Sequence, residues 1–213
     1  MGMEEQIKVV DKTLKSRKTQ VRKKIPQNLI YEVIDGKPIY YKGYKQVLNN
    51  EKNIEDIMGS SGLQSLIIDC IVMFLHDHLP RKIYKTMHSE LGVHLDKNNN
   101  LATDIAIYEK SKLKQSDITE NYMTVAPKVV IEVDTKADLN DFDKTMDYLS
   151  VKTKKLYDFG VEKVFWILTK SRLIIETKPT ENWSIIKWSN EINVVDDYKF
   201  SIDQLLREDG IIS

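Results

Sequence analysis

The sequence predicts an α/β fold: a mixed central β-sheet flanked by helices, preceded by a helix and a β-hairpin. Three observations carry that prediction. Short runs rich in Val, Ile, Tyr and Trp alternate with two stretches of helical period, 54–78 and 141–160. Turn signals separate the runs, among them Asp35-Gly36, the tract 97–100 with its three asparagines, and Pro179-Thr180. The order in the middle of the chain is helix, strand, strand, strand, helix, strand, which builds one α/β core rather than segregated halves.

Each element has its own signal. Residues 4–24 hold few helix breakers, and Ile7, Val10, Leu14 and Val21 are spaced for a charged, exposed helix that Pro26 ends. Residues 29–48 read as two β-rich runs about Asp35-Gly36, with Pro38 placing the second run at a sheet edge. In 54–78, Ile57, Leu63, Ile67, Ile71 and Phe74 recur at helical spacing; Gly59-Ser60-Ser61-Gly62 divides the helix in two and Pro80 stops it. Strands follow at 83–96 and 101–109, then a polar loop or loose helix at 110–126 and a strand at 127–135. The helix at 141–160 has Gly160 as its C-cap. Strands are expected at 161–169, 171–178 and 183–189, and the segment 197–207 turns helical after the cap Ser201.

At 213 residues, 41% hydrophobic and 30% charged, the chain fits one ordinary domain with a short appendage. That assigns a basic arm to 1–24 and a single domain to 25–213. The apolar run 66–75 is broken by Asp69 and falls well short of the ~20 residues that span a bilayer. The opening residues carry no secretory h-region, and Cys70 has no second cysteine to pair with. The expected compartment is the cytoplasm, with no membrane partner. Lys plus Arg balance Asp plus Glu at 32 each, which excludes a uniformly basic nucleic-acid coat protein. The balance is uneven: residues 1–24 hold eight basic and three acidic side chains, leaving the rest at −5. Such an arm suits phosphate contacts or a solvated helix end equally.

Chemistry points to the acids. His76, His78, His88 and His94 have no cysteine at zinc spacing, and the chain lacks phosphate-loop, nucleophile-elbow and dinucleotide motifs. Asp104, however, opens the apolar run IAIY, and Glu132 and Asp134 sit in VVIEVDTKAD, where period two puts both on one strand face. If the 101–109 strand lies beside the 127–135 strand, Asp104 joins them at a sheet edge. Carboxylates this close repel unless a hard cation such as Mg²⁺ resolves the conflict; the alternative is acids that are solvated or paired with lysine.

The same residues resemble the PD-(D/E)XK nuclease superfamily, and most closely its Uma branch of restriction endonuclease-like proteins. YEVIDGKPIYY (31–41) is similar to that family's opening hairpin, GSSGLQSLI (59–67) to its first core helix and TDIAIY (103–108) to its Pro-Asp strand, with Thr103 in place of Pro. APKVVIEV (126–133), GVEKVFWIL (160–168) and FSIDQLL (200–206) match its later segments, so the likeness runs from about residue 25 to 207. It implies a restriction endonuclease-like core, with Asp104 and Glu132, joined by Asp134, holding Mg²⁺ or Mn²⁺. Asp134 stands where the superfamily carries its lysine. The resemblance moves that role to Lys152 on the following helix, with Lys136 as the weaker candidate, and makes Gln64 and Glu90 supporting ligands. The implied activity is metal-dependent hydrolysis of nucleic acid, DNA first, by a homodimer if both strands are cut. The competing reading is a catalytically inactive module of the same fold that binds nucleic acid or protein.

Overall fold

The computed structural model describes residues 25–140, 142 and 145–212; the helix expected at 4–24 lies outside them. Strands β1 (Ile30–Ile34) and β2 (Lys37–Tyr40) form the expected hairpin. Asp35 and Gly36 are both left-handed, with φ of 51° and 72°, the pair of positive angles that matches strand twist in a two-residue turn. β2 is the outermost strand at its end of the sheet, as Pro38 requires.

The second β run is shorter than its composition suggested. Gly43, at φ 92°, turns the chain, and Tyr44–Leu48 is a helix, α1. Tyr44 stacks on Tyr40 with ring centroids 4.6 Å apart, and Val47 and Leu48 pack on Leu29, Tyr41 and Ile57, so burial rather than β propensity decides this segment.

The Gly-Ser-Ser-Gly break separates α2 (Glu55–Met58) from the long α3 (Gly62–His78), whose N-cap Ser61 accepts the Gln64 N–H at 3.2 Å. β3 (Tyr84–Asp96) and β4 (Asn99–Glu109) pair along their length about a tighter turn than expected, since Asn99 and Asn100 already belong to β4. The 110–126 stretch holds two short 3₁₀ turns. β5 (Val129–Val133) runs into α4 (Thr145–Phe159), and Gly160, at φ 117°, closes that helix by donating to the Tyr157 carbonyl at 2.9 Å. β6 (Lys163–Leu168), β7 (Leu173–Thr177) and β8 (Ser184–Lys187) complete the sheet. A separate two-stranded sheet of β9 (Ile192–Val195) and β10 (Tyr198–Phe200) leads to α5 (Ile202–Glu208), capped by Ser201. β9 is a strand that the sequence reading did not contain.

The main sheet has the order β2-β1-β4-β5-β6-β7-β8, with β3 on β4's other edge. Only β5 and β6 are parallel, which is why a helix, α4, connects them. One face packs Ile105, Ile131 and Phe165 against α3 and α5; the other packs Val130, Val164 and Trp166 against α4. β5 is therefore buried on both faces, and its run VVIEV reads as continuous rather than alternating. Among the described residues no helix is long and apolar enough to cross a membrane.

One feature of this topology positions everything that follows. β1 and β5 share the same edge of β4, end to end: Asn100 pairs with Val33, and Ile105 to Ile107 pair with β5. Between them, across 101–104, no strand covers the edge. A buried strand cannot leave its backbone groups bare, so side chains must serve them.

Candidate functional site

Side chains from four elements converge on that gap. Glu32 of β1 accepts the Ala102 N–H at 3.1 Å, and Lys152 of α4 donates to the Ala102 carbonyl at 2.7 Å. The two are joined directly, Lys152 Nζ lying 2.6 Å from Glu32 Oε1. Tyr148, one helical turn before Lys152, donates its hydroxyl to Glu32 Oε2 at 2.8 Å. The Tyr31 and Trp166 rings flank the ammonium, their centroids 5.8 and 5.6 Å away.

On the β5 side the ladder opens after Ile105 and Ile131, and the next residues, Asp104 and Glu132, stand opposite one another. Asp104 Oδ2 accepts the Val133 N–H at 2.7 Å, while Gln64 Nε2 donates to the Val133 carbonyl at 2.7 Å. Both backbone groups of Val133 are thus satisfied by side chains rather than by a strand's backbone. Glu132 lies 3.1 Å from the Lys152 ammonium through Oε1, but off a hydrogen-bonding line, and no hydrogen bond reaches that oxygen.

Asp104, Glu132 and Lys152 are buried to 5%, 1% and 0% exposure, so their charges are felt at close to full strength. Burial, opposed by Lys152 and reinforced by Asp104 and Glu32, pushes the Glu132 carboxyl up to about 8. Burial likewise raises Asp104, against the Val133 N–H and Lys152. Burial works against the Lys152 charge, yet Glu132 and Glu32 outweigh it and hold the ammonium protonated. With all groups ionised, three carboxylates face one ammonium, a net of −2.

The remaining sequence candidates fall elsewhere. Asp134 does not share the face of Glu132. β5 ends at Val133, Asp134 turns left-handed at φ 57°, and its carboxylate accepts both the N–H and the hydroxyl of Thr169. Lys136 is likewise off the strand; its carbonyl accepts the Lys42 N–H at 2.7 Å as the chain runs back along β2. Its ammonium pairs with Glu90 and donates to the Met58 carbonyl at 3.0 Å. Glu90 sits in a bulge of β3 with Ser89, both left-handed, and lines an open cleft of about 230 Å³ together with Asp104, Asp69 and His88.

Glu32 was the residue missed. In IYEVI it shares a strand face with Ile30 and Ile34, and its carboxylate turns to the neighbouring gap. Among the described residues no group of three or more His, Cys, Asp or Glu side chains has the arrangement of a complete metal centre. The donors present still fit a hard cation in part. Two neighbouring buried carboxyl groups, Asp104 and Glu132, match an ion that takes one or two carboxylates and fills its shell with water and phosphate.

Comparison with known proteins bears on the fold. No family model matches the chain, and no curated protein matches it. A solved structure does resemble it: a candidate nuclease belonging to DUF820 from Anabaena variabilis, at a TM-score of 0.61 and 16% identity. The likeness covers 83% of this chain and 89% of that one. At that identity the two share a fold.

Proposed function

We propose that this chain is a metal-dependent nuclease that hydrolyses phosphodiester bonds of DNA, built on the PD-(D/E)XK core of the Uma branch. The observation that carries the reading is the buried cluster of Asp104, Glu132, Glu32 and Lys152, three carboxyl groups around one ammonium. A proton or a cation must complete it, and a fold shared with a candidate nuclease favours the cation.

Asp104 and Glu132 would hold Mg²⁺ or Mn²⁺, which supplies an activated water and charge neutralisation at the phosphate. The chain's own residues set the stage for that chemistry. The Val133 N–H orients Asp104, which lines the cleft. Lys152, held by Glu32 and the Ala102 carbonyl, keeps a positive charge 3.1 Å from Glu132 Oε1. It acts through Glu132, since its side chain is 1% exposed. Tyr148 fixes the far oxygen of Glu32, so the lysine has one place to be. Cutting both strands of a duplex would call on a two-fold pair of chains.

The test is Mn²⁺ calorimetry and cleavage of a supercoiled plasmid with wild type and Glu132→Ala. Wild type is expected to bind the ion and nick the plasmid, and the variant to lose both, with cleavage down at least 1,000-fold, on the order of 4 kcal/mol. Cleavage by Glu132→Ala at the wild-type rate would overturn the assignment.

A further inference from the structure

The cleft beside Asp104 continues along the molecule. Ser65, Asp69 and Val72 of α3 line it, and Leu75, His76 and Leu79 line a second hollow further along the same helix. Positions 65, 69, 72, 76 and the C-cap 79 are three or four residues apart, with Leu75 beside His76, so they form one stripe along α3. Across from them runs β3, which gives His88 to the first hollow and Thr86, two residues away on the same strand face, to the second. The His76 and His88 rings, with centroids 6.4 Å apart, bridge the two. The hollows are therefore two parts of one groove between α3 and β3. From Ser65 to Leu79 it is about 21 Å long, at about 1.5 Å per helical residue.

Charge is sorted along it. The end at Asp104 also carries Asp69 and Glu90, and the far end carries Arg81, Lys85 and Lys110 with no carboxylate among its lining residues. All three cations are exposed, and among the described residues none is in an ion pair. Three unmatched cations in one hollow stand out on a body whose net charge outside 1–24 is −5. They repel one another unless an anion lies between them.

We propose that this groove is the track for a DNA backbone, with the reacting phosphate at the Asp104 end and neighbouring phosphates on Arg81, Lys85 and Lys110. The proposal rests on the nuclease reading for its direction, and on the charge sorting for its path. At about 3.4 Å per nucleotide along a strand of duplex, 21 Å spans roughly six nucleotides, enough to link the two ends.

The test is binding of a labelled 20-bp DNA duplex by fluorescence anisotropy, without added metal, across a salt series. Arg81→Gln/Lys85→Gln/Lys110→Gln is compared with Lys170→Gln/Lys187→Gln/Lys199→Gln, an equal charge loss at exposed sites elsewhere. The groove variant is expected to bind at least tenfold more weakly, and its log–log salt slope to flatten by about 2.7, or about 0.9 for each lost phosphate contact. The control triple should change neither slope nor melting temperature. If the groove triple fails to fold, Lys85→Gln and Lys110→Gln alone should each flatten the slope by about 0.9. Equal behaviour of the two triples, no duplex binding by wild type, or tighter binding of an RNA duplex of the same sequence would each overturn the proposal. Plasmid cleavage by the same variants separates it from the nuclease reading. Cleavage with no groove dependence removes the track alone, whereas groove-dependent binding without cleavage removes the nuclease and keeps the track.

Discussion

Along β4, Ile105, Ala106 and Ile107 pair with β5 backbone to backbone, whereas the four residues before them face a gap that only side chains fill. Both stretches are buried. In the paired stretch the side chains are free to be apolar, because the ladder already serves the backbone. In the open stretch the backbone of Ala102 and Val133 must be served by Glu32, Lys152, Asp104 and Gln64, and those side chains bring charge into the interior. The comparison teaches that the charged cluster is a structural necessity of the gap before it is anything else. What exceeds the necessity is Glu132, which serves no backbone group of the gap and meets the Lys152 ammonium instead.

Substitutions can break or sharpen that contrast. The largest effect is expected from Lys152→Met, which strands two buried carboxylates and should cost about 3–5 kcal/mol, measured by urea unfolding. A loss under about 1 kcal/mol, the range of exposed pairs, would show that the gap tolerates an unmatched charge. Next comes Glu132→Gln, read through pH. Because the folded carboxyl is raised from 4.5 to about 8, the folded chain keeps a proton over that window that the unfolded chain has released. Stability from this group is therefore complete below about pH 4.5 and lost as pH rises through about 8. The melting temperature of the metal-free wild type should fall from pH 5 to pH 8.5, and Glu132→Gln should flatten most of that fall, leaving a residue from Asp104. A wild-type profile flat over this range would contradict the buried, proton-holding Glu132. The smallest effect belongs to the paired stretch, where Ile105→Val should cost about 1 kcal/mol in unfolding and leave Mn²⁺ affinity unchanged.

The same contrast explains what the sequence could reveal. Signals that depend on a few adjacent residues were legible: the Asp35-Gly36 turn, the Gly59-Ser60-Ser61-Gly62 break, the Ser201 cap, the Gly160 stop and the edge position of Pro38. The neighbourhood of Asp104 and Glu132 was legible too, because acids inside apolar runs violate the pattern of a buried strand. The fate of Asp134 was not, since period two holds only while the strand lasts, and β5 stops one residue earlier. Glu32, an acid on the face of Ile30 and Ile34, carried a similar signal, but the group it serves depends on where β1 ends relative to β5. Tyr44–Leu48 carries β-favouring residues whose helix is set by contacts with Leu29 and Ile57. In each miss a distant neighbour overrode a local preference.

Glu32 and Lys152 are 120 positions apart in the chain, with Asp104 and Glu132 between them. During synthesis the ribosome therefore releases all three acids before their lysine. A nascent chain that has reached the end of β5 holds the three carboxylates but not the lysine that bridges Glu32 and Glu132, so the cluster cannot form early. At about 5–20 residues per second, the lysine follows Glu132 by a few seconds at most. The cluster is assembled only by a chain that has already brought its first hairpin and its second long helix together, which ties any activity of the site to completion of the fold.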